Sequence, residues 1–217
     1  PEITTIVENV NSRHTNVILG DKEKVLFGKG YIREDILGLS FQISASSFFQ
    51  INPIQVEKLY KTALNQLDID RNEVVLDAYS GVGTIGLIAA RNAKEVISVE
   101  INKFAHKNAI ENAKRNNVEN IKFYCDDAGE FISKYDGKID VVIMDPPRKG
   151  SDKKFLDTLI NNKIKKIIYV SCDPETLARD INYLSRYYDV KYVQPVDMFP
   201  MTCHVETVVT LCLKDKN

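Results

Sequence analysis

From about residue 74 onward, short apolar runs alternate with amphipathic stretches. The runs VVLDA at 74–78, VISVE at 96–100, IKFYC at 121–125, IDVVIM at 139–144 and KIIYVS at 166–171 predict strands. Two further strands are expected near 190–197 and 205–213. Helical spacing fills the gaps at about 84–91, 103–116, 127–134, 152–161 and 174–186. Strand–helix alternation with short connections implies parallel strands covered on both faces. The last two strands have no helix between them, so they are expected as an antiparallel pair at one edge. The expected fold is therefore α/β and Rossmann-like, with a mostly parallel seven-stranded sheet. Residues 1–45 read differently, with irregular strand-like pieces (TNVILG, KVLFGKG) and turn residues. They predict a small β-rich appendage, the remnant of a second module. Residues 46–72 link it, through a helix at about 53–67, to the main domain at 73–217.

Composition narrows the classes. The 217 residues are 44% hydrophobic, enough for a substantial core, and no apolar run approaches a membrane span. A net charge of −1 gives no overall basic field. Lysines do gather locally, at Lys22, Lys24 and Lys29 and again at Lys149, Lys153, Lys154, Lys163, Lys165 and Lys166; runs of this kind read first as solvated faces. Cys125, Cys172, Cys203 and Cys212 show no CxxC spacing, which fits a reducing, cytoplasmic compartment. His14, His106 and His204 are scattered and form no metal constellation. From the start at Pro1, without methionine, an excised fragment of a longer protein is expected.

Three strand ends carry candidate chemistry. Gly81, Gly83 and Gly86 form a GxGxxG turn, followed at the next strand end by Glu100. Glycines let the backbone approach a ligand, and an acid there can accept from ribose hydroxyls. The pattern alone fits a dinucleotide almost as well; Asp77 before the first glycine leans towards S-adenosylmethionine. Asp145-Pro146-Pro147-Arg148 ends another strand and presents a carboxylate and a guanidinium to the crevice. In amino-group methyltransferases an aromatic residue follows Asp-Pro-Pro, and here that position is Arg148. Cys172 closes the next run, ahead of a helix start at Asp173-Pro174-Glu175. A cysteine there feels the positive end of the helix dipole, which should lower its pKa. Cys125 and Cys212 lie within strand patterns and are expected in the core.

Four segments, SSFFQIN, LDAYSGVGTIGL, DPPRKG with VSCDPETLARD, and MFPMTCHVETVV, occur in an order that resembles a known family. The chain looks like the catalytic part of the RNA uracil-5-methyltransferases, which make 5-methyluridine in ribosomal and transfer RNA. The resemblance spans residues 40–213. It implies a class I S-adenosylmethionine-dependent methyltransferase fold, with S-adenosylhomocysteine as product. Cys172 would be the nucleophile at uracil carbon 6, and Glu206 the base that takes the carbon-5 proton. Asp145 and Arg148 would orient the uracil, and Phe48 would pack against it. Gln50, Tyr79, Gly81, Glu100, Asp127 and Asp145 would hold the cofactor. The implied partner is RNA, ribosomal in preference to transfer RNA, with no membrane and a monomeric enzyme. Family members carry an N-terminal RNA-binding barrel and many an iron–sulfur cluster. Neither is legible here, and no metal is expected in these residues. A chain lacking the barrel is expected to bind cofactor yet methylate long RNA poorly, since phosphate contacts dominate affinity. A methyltransferase for an exocyclic amino group or a protein, and a non-catalytic RNA-binding module on the same fold, remain as alternatives.

Overall fold

The computed structural model describes residues 2–12, 18–20 and 22–215. Two small antiparallel pairs come first: β1 (Thr5–Val10) with β2 (Lys22–Gly28), and β3 (Tyr31–Ile36) with β4 (Leu39–Ser44). Leu37 and Gly38, both at positive φ, make the two-residue turn of the second hairpin, where twist-matched turns need that conformation. Of the expected TNVILG piece, residues 15–17 lie outside the described residues and 18–20 form no strand; His14 is likewise outside them.

Helix α1 (Pro53–Leu67) follows, capped by the Asn52 side chain and opened by Pro53. Then come β5 (Val74–Ala78), α2 (Thr84–Ala89), β6 (Glu95–Val99), α3 (Lys103–Arg115), β7 (Ile121–Tyr124) and α4 (Ala128–Lys134). The chain continues through β8 (Val141–Met144), α5 (Lys153–Asn161), β9 (Lys166–Ser171) and α6 (Pro174–Leu184), and ends with β10 (Tyr188–Val196) and β11 (Glu206–Leu213). The main sheet has the order β10-β11-β9-β8-β5-β6-β7. β11 runs antiparallel to both neighbours, while β5 to β9 pair in parallel. The expected sheet and its antiparallel edge pair are both present, with β10 at the edge and β11 inserted beside β9.

Strands β5, β6, β8 and β9 are almost wholly buried, as parallel strands covered on both faces must be. One core layer joins α1, α2 and the β3–β4 hairpin through Phe41, Leu59 and Leu87. The other packs α4, α5 and α6 through Phe131, Phe155 and Leu184. Asn112 of α3 and Asn116 at its C-terminal cap accept from the backbone N–H groups of Gln42 (2.7 Å) and Ser40 (2.9 Å), locking the hairpin to the domain. Cys125 departs from expectation: the strand stops at Tyr124, leaving Cys125 exposed, while Cys212 near the end of β11 is half-buried. Among the described residues no helix is long and apolar enough to cross a membrane.

Candidate active site

Between β5 and β8 the strand order reverses, and ligands of open α/β sheets bind at such switch points, outside the carboxyl ends of the strands. Most of the candidate residues gather on that rim. Tyr79 follows β5, Glu100 follows β6, Asp145 follows β8 and Cys172 follows β9. Thr207 of β11 pairs with Ser171 of β9, so the next step of the antiparallel register sets Glu206 opposite Cys172.

The half of the rim around β5 and β6 is shaped by backbone. Tyr79, Gly81 and Gly83 all have positive φ. A Cβ built on Gly81 would meet nothing within 4 Å, so the turn faces open space. Gly86 is glycine for the opposite reason: a Cβ there would lie 2.5 Å from Asp77 Oδ2, whose carboxylate accepts from the Gly86 N–H at 2.9 Å. Glu100 accepts from the N–H groups of Gly81 (2.8 Å) and Asn102 (2.6 Å), so it braces the turn. Asp127 caps α4 through the N–H groups of Gly129 and Glu130. The Tyr79 hydroxyl meets Ser151 Oγ at 3.1 Å, and burial pushes its pKa up to about 12.

A strap crosses the crevice. Residues 44–47 are tied to α3, where Asn108 donates to Ser44 Oγ and Ser47 Oγ, each at 2.8 Å. At its far end Asn52 donates to the Met198 carbonyl at 3.1 Å, next to the loop that leads into β11. The strap carries Gln50, whose buried Oε1 has no partner, and Phe48, which is 74% exposed. A buried orphan acceptor and a large apolar ring in water are both costly arrangements unless a ligand completes them.

The other half of the rim is electrostatic. Glu206 is 3% exposed, its Oε2 is unpartnered, and burial raises its pKa. Asp145 is half-buried; desolvation first, then the carboxylates of Glu206 and Asp77, push it up to about 8. Cys172 departs from the helix-dipole expectation. Burial, then Glu206 and Asp145, push its thiol up, and the opposing pull of Arg148 is weaker. Arg148 is held by Asp173 (Nε to Oδ2, 3.3 Å) and by His204 (Nη2 to Nδ1, 3.4 Å). The scattered-histidine reading missed His204, although its place two residues before Glu206 is the signal that could have found it.

Asp77, raised to about 7 by burial and Glu100, and Asp145 both hold protons that an unfolded chain releases near 3.8. Their contribution to stability is therefore full below that range and is lost as pH rises through 7 and 8. The thermal midpoint of the ligand-free protein is expected to fall between roughly pH 5 and 8.5, less steeply in Asp145→Asn. A midpoint that holds or climbs across this window would refute the assignment.

A family model described as tRNA (uracil-5-)-methyltransferase matches residues 7–214. An uncharacterized RNA methyltransferase of Oceanobacillus iheyensis is 47% identical over 221 residues, covering 100% of this chain and 48% of its own. One of Clostridium acetobutylicum is 49% identical over 218 residues, covering 99% and 47%. The crystal structure of Pyrococcus abyssi tRNA (uracil-54, C5)-methyltransferase in complex with S-adenosyl-L-homocysteine aligns with a TM-score of 0.83 at 35% identity. That alignment covers 97% of this chain and 51% of the other. The tRNA m1G37 methyltransferase of M. jannaschii, at 19% identity and TM-score 0.67, covers 90% of this chain and 61% of its own and shares the fold. The chain spans about half the length of the curated relatives it matches. Matched over nearly its whole length by the family model and by these relatives, the chain belongs to the tRNA (uracil-5-)-methyltransferase family.

Proposed function

We propose that the chain is the catalytic part of an enzyme that methylates carbon 5 of a uridine in RNA through a covalent bond to Cys172. The observation that carries the reading is the pairing of Cys172 with a buried, unpartnered Glu206 at the switch-point rim. Amino-group methylation has no use for a thiol and a separate base so placed.

S-adenosylmethionine, when bound, supplies the electrophilic methyl group. The open Gly81 turn, Glu100, Tyr79, Asp127, Asp145 and the orphan amide oxygen of Gln50 would hold it, and the space at Gly81 suits a group of that kind. Gly81→Ala is expected to cost about 1 kcal/mol in stability, from its positive φ, and to weaken cofactor binding by more than that. Calorimetric titration checks this, and unchanged affinity would remove the turn from the site.

Carbon 5 of uracil is a poor nucleophile. The Cys172 thiolate adds to carbon 6, and the electron pair of the 5,6 double bond moves onto carbon 5 and the carbonyl beside it. Arg148 faces that developing oxyanion, and a protonated Asp145 can donate to a uracil carbonyl. After carbon 5 has gained its methyl group, Glu206 takes the carbon-5 proton, the double bond re-forms and the thiolate leaves. Phe48, held out on the strap, offers a stacking face to a base extruded from folded RNA. The RNA is ribosomal or transfer RNA, and residues 1–45 belong to a subdomain that helps to grip it.

The test uses 5-fluorouridine-substituted ribosomal and transfer RNA with the complete protein and S-adenosylmethionine. Fluorine replaces the proton that Glu206 removes, so the reaction should stop as a cofactor-dependent protein–RNA adduct. Absence of that adduct, from protein shown to bind both ligands, would transfer the assignment to another methyl acceptor.

A further inference from the structure

A cavity of about 500 Å³ adjoins the rim just described, between the loop that follows Arg148, the start of α5 and α6. Lys149, Lys153, Leu156, Arg179, Asn182 and Tyr183 line it. Two carboxylates also reach it, and both are engaged by the protein. Asp152 caps α5 through the Phe155 N–H at 2.8 Å. Asp180, 2% exposed, accepts from the Ser151 N–H (2.8 Å) and the Tyr169 hydroxyl (2.7 Å) and pairs with Arg179.

Some lysines of the chain have a carboxylate partner, and the two of this groove do not. Lys154, Lys134, Lys122, Lys138, Lys165 and Lys191 each pair with an aspartate or glutamate. Among the described residues Lys149 and Lys153 pair with none, although both are exposed. Lys153 instead sits 5.9 Å from the centre of the Tyr183 ring, and that ring is fixed by a bond from its hydroxyl to Asp157. Unpaired cations around a fixed, half-open aromatic ring are what single-stranded nucleic acid meets: charge for phosphates and a face for a base.

The groove is also rigidly joined to the reactive residues. Arg179 donates to the carbonyls of Lys149 (2.9 Å) and Ser151 (3.4 Å), and Thr176 donates to that of Arg148 (3.1 Å). Gly150, at φ +76°, permits the close approach, since a Cβ there would lie 2.5 Å from the Arg179 guanidinium. Because α6 begins beside Cys172, Arg179 and Tyr183 lie about 8 and 14 Å along it.

The geometry points to this groove as the seat of the RNA strand flanking the target uridine, with Lys149 and Lys153 on consecutive phosphates and Tyr183 under a neighbouring base. The assignment rests on the uracil-5 reading for the identity of the strand. It is tested by titrating a fluorescein-labelled single-stranded oligoribonucleotide into the complete protein over a range of NaCl concentrations. Lys149→Ala/Lys153→Ala is expected to weaken binding about tenfold and to reduce the log–log salt slope by about 1.4, the loss of two single-strand phosphate contacts. Lys149→Arg/Lys153→Arg should restore both, Lys58→Ala/Lys94→Ala should change neither, and S-adenosylmethionine affinity should stay constant throughout. An unchanged slope in the alanine variant overturns the groove. The 5-fluorouridine adduct reports separately on the reading beneath it: adduct with an unchanged slope defeats the groove alone. A reduced slope without adduct keeps the groove and defeats the methyl acceptor.

Discussion

Cys172→Ala is expected to abolish methyl transfer to RNA, by a factor on the order of 10⁴ or more, because every later step depends on the carbon–sulfur bond. The side chain is half-buried just after β9, and the hydrogen bond it takes part in is a local one with its own backbone. The fold should therefore survive with a thermal midpoint within a few degrees of the parent, and cofactor affinity should be unchanged. Radiolabelled methyl incorporation, read beside a melting curve and a cofactor titration, separates the outcomes. Activity persisting in a well-folded variant would mean an acceptor that needs no covalent activation, such as an exocyclic amino group. A parent protein that binds RNA tightly and transfers nothing would mean a binding module.

The α/β core was legible because its signals are local and redundant. Each strand from β5 to β9 is a short apolar run, and α1, α3, α4, α5 and α6 each open on an Asn or Asp whose side chain caps the first turn. The small hairpins were harder to read. Strand β2 exposes Val25, Leu26 and Phe27, so no alternation of buried and open positions marks it as a half-buried strand. At the site, the residue types were readable and their electrostatics were not. Position before a helix argued for a depressed Cys172 pKa, but Glu206 and Asp145 arrive from strands distant in sequence and, with burial, reverse the sign. Glu100 and Asp127 show the same limit. Their place on the rim was evident, whereas their bonds to backbone N–H groups depend on how the turn and α4 close.

Glu206→Gln should separate two roles that one carboxylate combines. In the proposed mechanism Glu206 is the base for the carbon-5 proton, a role worth about 10²–10⁴ in turnover, and its loss should then trap the methylated adduct on ordinary uridine, without any fluorine. As a buried negative charge beside Cys172, it raises the thiol pKa, so its removal should increase the thiolate fraction. The variant is thus expected to be nearly inactive in turnover, to accumulate a covalent RNA complex, and to react faster with iodoacetamide at Cys172 near neutral pH. Glutamine is close to isosteric, and Oε2 has no hydrogen bond to lose, so misfolding is not the expected cause of any change. The signs of the two readouts discriminate between mechanisms. Faster alkylation with a trapped adduct places Glu206 after methyl transfer. Slower alkylation with no adduct would instead make Glu206 the group that draws the proton from Cys172, and the carbon-5 proton would then need a different base.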